Sequence, residues 1–113
     1  VCYPFIPFDL SAGEWIDIIE LPLTVMDRGL INAGIDPDMF FEKYVKFVEQ
    51  EAVKYGCYIV LLWHNDLLYD PRFKKYSELY WRIVEYTYES EGVILNSIDS
   101  LKAWIDTLKK TYG

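Results

Sequence analysis

The single histidine of the chain, His64, is the first residue whose type and position indicate chemistry. It follows the apolar run Tyr58-Ile59-Val60-Leu61-Leu62-Trp63, which lies between Gly56 and the polar Asn65. Such a run predicts a strand buried on both faces, as in a parallel sheet covered by helices. Reacting groups of α/β proteins gather at the carboxyl ends of strands, and histidine is suited to general acid or base catalysis there. We therefore predict a catalytic role for His64; the alternative is a partly buried imidazole hydrogen-bonded to nearby backbone.

Three aspartates form the second group of candidates, because they follow predicted strands. Asp27 lies in the loop after the first strand, and Asp66 and Asp70 lie in the loop after His64. Paired carboxylates at strand ends can carry out acid and base chemistry. The competing interpretation is capping and turn formation, which is the commoner role of aspartate in loops. Asp27 is also a candidate for substrate binding.

The aromatic residues suggest a sugar-binding surface at one position only. Phe73, Tyr76 and Tyr80 recur at helical spacing, which is typical of core packing. Trp63 is retained as a candidate for substrate binding because it precedes His64 and tryptophan rings stack on the apolar faces of sugars. Strand alternation, however, places its ring on the side opposite His64.

Several kinds of site have no support in the sequence. A catalytic zinc site usually needs two or three imidazole or carboxylate ligands together, and the chain has one histidine. We therefore predict no metal site within this chain. A glycine-rich phosphate loop, a CxxC motif and a GxSxG motif are also absent. Cys2 and Cys57 lack the spacing of a disulfide framework, and a disulfide between them is not expected.

The elements that must position these residues alternate between strand and helix. In chain order they are an extended arm or loop (1–14), a strand (Trp15–Leu21), a long connection (Leu23–Ile35), a helix from Asp36-Pro37 to Gly56, the His64 strand, a helix from about Arg72 to Glu91, a short strand (Val93–Leu95) and a helix capped by Asn96 or Ser97. This βαβαβα order predicts an α/β fold with parallel strands and crossover helices.

Size and charge limit the function classes. With 113 residues the chain predicts one domain. Its net charge of −7 repels phosphate backbones and anionic lipid, so nucleic acid and membrane partners are not expected. No apolar run approaches the ~20 residues of a membrane span. We expect a soluble protein. The sequence does not determine its compartment, although it slightly favours the cytoplasm.

The chain also has features of a piece of a larger fold. Three parallel strands make a small sheet for an independent domain. An apolar content of 52% and the apolar start Val1–Phe8 suggest a surface that meets something else. The expected partner is the remainder of a barrel or a second copy.

The residues around His64 resemble a known family. Leu62-Trp63-His64 at the end of an apolar strand resembles the Leu-x-His motif of the NodB-homology polysaccharide deacetylases. The segment Ile19–Asp27 resembles the strand and loop that precede this motif, and Tyr86–Trp104 resembles the closing helix, strand and helix. The resemblance covers nearly the whole chain but only the carboxyl-terminal part of the family's distorted (β/α) barrel.

The resemblance implies an activity and roles for two residues. Members of the family remove acetyl groups from carbohydrate with a divalent metal, zinc or similar. His64 would be the general acid that protonates the leaving amine or alkoxide, and Leu62 would line the acetyl pocket. The metal-binding motifs of the family are missing: the sequence contains no Thr-Phe-Asp-Asp and no His-x-x-x-His.

Two hypotheses follow. In the first, the chain is the carboxyl-terminal part of a deacetylase-like barrel and supplies His64 to a site completed elsewhere, so that it is inactive alone. In the second, it is a non-catalytic α/β interaction module whose sheet edge and apolar surface pair with another chain or copy.

Overall fold

A computed structural model describes residues 3–90, 92 and 96–112. The strands are β1 (Phe8–Asp9), β2 (Glu14–Trp15), β3 (Val25–Met26) and β4 (Leu61–Leu62); the helices are α1 (Asp27–Asn32), α2 (Pro37–Phe47), a π-helical segment (Val48–Ala52), α3 (Val53–Tyr55), α4 (Asn65–Tyr69), a 3-10 turn (Pro71–Phe73), α5 (Lys74–Glu89) and α6 (Ser97–Tyr112). The chain divides into two compact units, one formed by 1–22 with 95–113 and the other by 23–94.

The first unit contains a small antiparallel hairpin and α6. β1 pairs with β2, and Phe8 lies opposite Trp15 with their rings edge to face at 5.1 Å. The Asp9 carboxylate accepts hydrogen bonds from the backbone N–H groups of Ser11 and Ala12. This aspartate turn and Gly13, at φ +69°, reverse the chain.

This hairpin corrects one prediction. Residues 3–14, part of the segment predicted to be an extended arm or loop, fold back on the following segment. The strand predicted at Trp15–Leu21 is wrong: β2 ends at Trp15, and among the described residues a single bridge, Phe5 to Glu20, continues the pairing. The backbone of this segment bonds to the arm, as in the Ile16 N–H to Pro7 carbonyl bond of 2.9 Å, and it takes no part in the parallel sheet.

The second unit contains a two-stranded parallel sheet, β3 paired with β4. β3 lies inside the segment Leu23–Ile35, which the sequence predicted to be a connection, and α1 follows it directly. Side chains extend this very short ladder: the Thr24 Oγ1 atom accepts a hydrogen bond from the Val60 N–H at 3.0 Å. The backbone N–H groups of Thr24 and Val25 both donate to the Val60 carbonyl, at 3.0 Å and 3.1 Å, so backbone and side-chain hydrogen bonds together begin the sheet.

Two of the predicted helices are confirmed. Asp36 caps α2, since its carboxylate accepts the Met39 N–H at 3.1 Å and Pro37 occupies the first turn. The helix continues without a break through the π-helical segment and α3 to Gly56, whose φ of +78° suits the end of a helix. The second predicted helix corresponds to the 3-10 turn and α5, and Asp70 caps that turn.

The third predicted helix is also confirmed, and Asn96 is the residue that caps it. Its Oδ1 atom accepts the Asp99 N–H at 2.8 Å. The strand predicted at Val93–Leu95 lies outside the described residues. The chain is therefore a mixed α/β protein with a small parallel sheet. The described residues show one parallel strand pair, and the full βαβαβα order stays a prediction.

The core of the second unit lies between α2 and α5. Its buried members are Val25, Leu30, Tyr44, Val48, Leu79 and Ile83. Tyr44 joins the two helices, because its hydroxyl contacts Thr87 Oγ1 at 2.6 Å and that oxygen donates to the Ile83 carbonyl at 2.7 Å. Among the described residues, none of the helices has the length and apolar character needed to cross a membrane.

The prediction that the His64 strand is buried on both faces is wrong. Leu61 and Trp63 pack against the core, whereas Leu62 is 43% exposed. The ladder pairs only two residues of this segment, and within the described part of the chain β3 is its one neighbour. One face of β4 is therefore accessible.

Replacement of Leu79 by alanine tests the position of the core. Leu79 is fully buried, so the Leu79→Ala cavity is expected to lower the free energy of unfolding by about 2–5 kcal/mol, measured by urea denaturation. The control is Met39→Ala, on the 58% exposed Met39 of α2, which should change it by less than about 0.5 kcal/mol. Equal effects of the two substitutions would contradict this core.

Candidate functional site

The parallel pairing of β3 and β4 brings Asp27 and His64 together. Met26 lies opposite Leu62 in the ladder, and Asp27 directly follows β3 while His64 follows β4 by two residues. Both residues therefore leave the sheet at the same edge, formed by the carboxyl ends of the strands. The side chains meet there: His64 Nδ1 lies 2.7 Å from Asp27 Oδ1.

The Asp27 carboxylate accepts three hydrogen bonds. Its Oδ1 atom accepts from the Arg28 N–H at 2.7 Å as well as from the His64 ring, and its Oδ2 atom accepts from the His64 N–H at 2.6 Å. The side chain of Asp27 has no solvent exposure. A buried carboxylate is stable only when its oxygens are well supplied with donors, and this one is.

These contacts also determine the charge of Asp27. Burial by itself raises the pKa of Asp27, but the hydrogen bonds from the His64 backbone, the His64 ring and the Arg28 N–H together outweigh it. The pKa of Asp27 therefore lies below its ordinary value of 3.8. Near neutral pH the side chain is an ionised, acceptor-only carboxylate.

The state of Asp27 assigns the tautomer of His64. Because the carboxylate has no hydrogen to donate, the 2.7 Å contact requires a hydrogen on His64 Nδ1. In neutral His64 the other ring nitrogen, Nε2, is then the unprotonated acceptor. The His64 side chain is 43% exposed, so solvent or a ligand can reach it. This arrangement orients an imidazole for proton transfer.

The backbone of His64 changes direction at this point. Its φ of −79° and ψ of 135° are extended, and its carbonyl accepts the Leu67 N–H at 3.1 Å as α4 begins. Its own N–H is held by Asp27. Both the ring and the main chain of His64 are thus positioned by one carboxylate from a segment 37 residues earlier.

An ion pair lies next to this pair and was not predicted from the sequence. Arg28 donates from Nη2 to Asp66 Oδ2 at 3.2 Å, which joins the start of α1 to the start of α4. Both side chains are exposed, at 43% and 64%, so the pair contributes little stability. The sequence signal that could have indicated it is adjacency, since Arg28 follows Asp27 and Asp66 lies two residues after His64.

The other candidates occupy different surroundings. Leu62 shares the exposed side of β4 with His64, as the two-residue repeat of a strand requires. Trp63 packs on the core side with Tyr80, at 5.5 Å between ring centroids. Its Nε1 is buried and has no hydrogen-bond partner among the described residues. The roles of these residues in substrate binding stay predictions.

The Asp70 side chain contacts Arg72 rather than Asp27 or His64. It caps the 3-10 turn by accepting the Arg72 N–H at 2.9 Å, and it pairs with the Arg72 guanidinium at 2.7 Å. These hydrogen bonds hold the pKa of Asp70 below its ordinary value. This is the capping role considered for Asp70 from the sequence.

A metal ion has no ligand set in the described part of the chain. No group of three or more His, Cys, Asp and Glu side chains among residues 3–90, 92 and 96–112 is placed to hold one. Asp27 and the Nδ1 atom of His64 are engaged with each other. The residues described here therefore do not fit the divalent metal that the deacetylase resemblance implies.

Comparisons with known proteins give no relative for this chain. No family model, no curated protein and no solved structure matches it.

Replacement of Asp27 by asparagine tests whether this carboxylate holds the strand ends. Asparagine has one acceptor oxygen, so Asp27→Asn leaves a donor unsatisfied and should cost about 1–3 kcal/mol of unfolding free energy at pH 7. The pKa of Asp27 is lower in the folded protein than in the unfolded chain. The stabilisation that Asp27 provides is therefore complete above the unfolded pKa, and it is lost as pH falls through the folded pKa. Denaturation curves from pH 7 down to pH 2 should therefore converge for the two proteins.

The matched control for this experiment is Asp66→Asn, on the exposed partner of Arg28. It should cost less than about 1 kcal/mol at pH 7. A difference between the wild type and Asp27→Asn that grew toward low pH would contradict an ionised, hydrogen-bonded Asp27.

Proposed function

We propose that this chain supplies the general acid His64 to a polysaccharide deacetylase-like site, which removes acetyl groups from carbohydrate and is completed by motifs that the sequence does not contain. The observation that carries the proposal is the 2.7 Å contact between Asp27 and the exposed His64 ring at the carboxyl ends of two parallel strands. The resemblance of Leu62-Trp63-His64 to the Leu-x-His motif supports it. By itself the chain is inactive in this proposal.

Asp27 and His64 have different parts in the proposed reaction. Water adds to the acetyl carbonyl and gives one proton to a base that belongs to the missing motifs. The bond from the carbonyl carbon to the sugar nitrogen or oxygen then breaks, and the leaving group takes up a second proton. His64 in its protonated form donates that proton from Nε2. Asp27 accepts the hydrogen bond from Nδ1–H throughout, so that the ring keeps its orientation after Nε2 has donated its proton. The products are acetate and the free amine or hydroxyl of the sugar.

Leu62 supports the acetyl group in the same proposal. It lies on the accessible side of β4, two residues before His64, and is 43% exposed. A small apolar surface next to the proton donor suits a methyl group, whose burial is favourable. A divalent metal, which the family resemblance implies, would need ligands from other segments, and the roles of Asp27 and His64 do not depend on its geometry.

Substitution of His64 in the longest native chain that contains this sequence tests the proposal. His64→Gln should lower the rate of acetate release from an acetylated chito-oligosaccharide by about 10²–10⁴-fold, because the leaving group loses its proton donor. Met39→Ala, at an exposed position of α2 outside the site, is the control and should retain most of the activity. Full activity of His64→Gln, or an inactive native chain that carries the missing motifs, would refute it.

The second candidate function is a non-catalytic interaction module, and one observation favours it. The hairpin unit exposes large apolar side chains, among them Leu10 at 90%, Trp15 at 69% and Ile18 at 58%. Exposed apolar area of this kind marks interaction surfaces. The occupant proposed is a second copy of the chain, because an identical hairpin offers the same apolar side chains and the same exposed strand edges.

Sedimentation of the chain over a range of concentrations tests this module. The proposal expects a reversible dimer that Leu10→Asp together with Ile18→Asp converts to monomer. The control is Val53→Asp, at a 67% exposed position of α3, which should leave the dimer intact. A well-folded monomer at all concentrations up to ~1 mM would contradict pairing of two copies.

A further inference from the structure

A groove with three cations along one wall lies within the second unit, and neither proposed function uses it. It has a volume of about 500 Å³, which is within the range of small-molecule sites. The turn between α1 and α2 forms one wall, and the segment from Pro71 to Tyr76 forms the other. The Tyr76 hydroxyl donates to the Ile35 carbonyl at 2.9 Å and so ties the two walls together.

Three cations line this groove in a chain whose net charge is −7. Lys75 is exposed and has no ion-pair partner among the described residues. Lys74 lies 3.9 Å from Glu78 Oε1, which is beyond hydrogen-bonding distance, and is 79% exposed. The Lys75 ammonium group is therefore available to a ligand, and that of Lys74 is held only by a long, exposed ion pair, which contributes little.

The third cation, Arg72, is held in place by Asp70. Its Nε and Nη2 atoms donate to that carboxylate, at 3.2 Å and 2.7 Å, while the side chain stays 80% exposed. The Nη1 donors are not used by any described residue. The pairing fixes the guanidinium plane, so less side-chain entropy is lost when a ligand binds.

Asp36 is the one carboxylate in the lining, and it caps α2 by accepting the Met39 N–H at 3.1 Å. It keeps its negative charge, so three cations face one carboxylate in the lining. Arg72 and Lys74 also have carboxylate partners outside the lining, Asp70 and Glu78, which leaves Lys75 as the unpaired cation in the described part of the chain. Ile35, Pro37 and Pro71 add an apolar portion to the walls.

We propose that this groove binds a small organic anion, with its phosphate or carboxylate against Lys74, Lys75 and Arg72 and its apolar body against Ile35, Pro37 and Pro71. The groove is concave and of small-molecule volume, which favours a free molecule over a flat lipid surface. This site is independent of Asp27 and His64, so either proposal can fail without the other.

Titration of the full chain with phenyl phosphate, followed by the backbone amide signals in ¹H–¹⁵N NMR spectra, tests this groove. The expected result is a saturable shift of the amides at 34–36 and 72–76, with a Kd of ~0.1–10 mM that rises with salt. Phenyl phosphate should bind several-fold more tightly than inorganic phosphate, because the apolar walls contact its ring.

Charge-reversal variants show whether the shifts belong to this site. Lys75→Glu should weaken binding about tenfold, and the uncharged Lys75→Gln should weaken it less. Lys43→Glu, at an exposed position of α2 outside the groove, changes the net charge by the same amount and should leave Kd unchanged. Absence of a saturable shift, equal losses in Lys75→Glu and Lys43→Glu, or equal affinity for the two phosphates would overturn the proposal.

Discussion

The buried carboxylate of Asp27 is the interaction on which the arrangement around His64 depends. The parallel ladder between β3 and β4 pairs two residues on each strand, and the Val60 carbonyl adds two backbone hydrogen bonds before it. A two-stranded sheet this short has little stability of its own. Asp27 continues the ladder with its side chain by binding the His64 N–H, and the same carboxylate binds the His64 ring. The Asp27 carboxylate therefore holds both the strand ends and the imidazole ring, and a substitution that removes it affects the fold and the orientation of the ring together.

The two faces of the β4 segment have different roles: one packs against the core and the other is accessible. Leu61 and Trp63 pack into the core that α2 and α5 enclose, so they fix the position of the strand. Leu62 and His64 alternate with them on the accessible side. A strand with one packed face and one open face can hold a reactive group rigidly and still present it to a ligand. The Arg28–Asp66 pair adds charged side chains to the same edge of the sheet.

The parts of this structure that follow from local patterns were predictable from the sequence. Asp36 before Pro37 starts a helix, and Gly56 ends it, through hydrogen bonding and backbone freedom that lie within a few residues. The position of His64 after an apolar run could be predicted in the same way, because it is also a local pattern. The contact between Asp27 and His64 could not, because it depends on which segment becomes the neighbouring strand. The apolar, β-branched stretch at 15–21 was the stronger strand signal, yet it bonds to the arm, and Val25–Met26 takes the place beside β4.

The most direct test of the Asp27–His64 arrangement is the tautomer of His64 in solution. Long-range ¹H–¹⁵N NMR spectra of the neutral ring distinguish the protonated nitrogen from the unprotonated one. The structure predicts a proton on Nδ1 and an unprotonated Nε2, because Asp27 accepts from Nδ1. A proton on Nε2, or an equal mixture of the two tautomers, would mean that Asp27 does not orient the ring, and the proposed proton transfer from Nε2 would lose its structural basis.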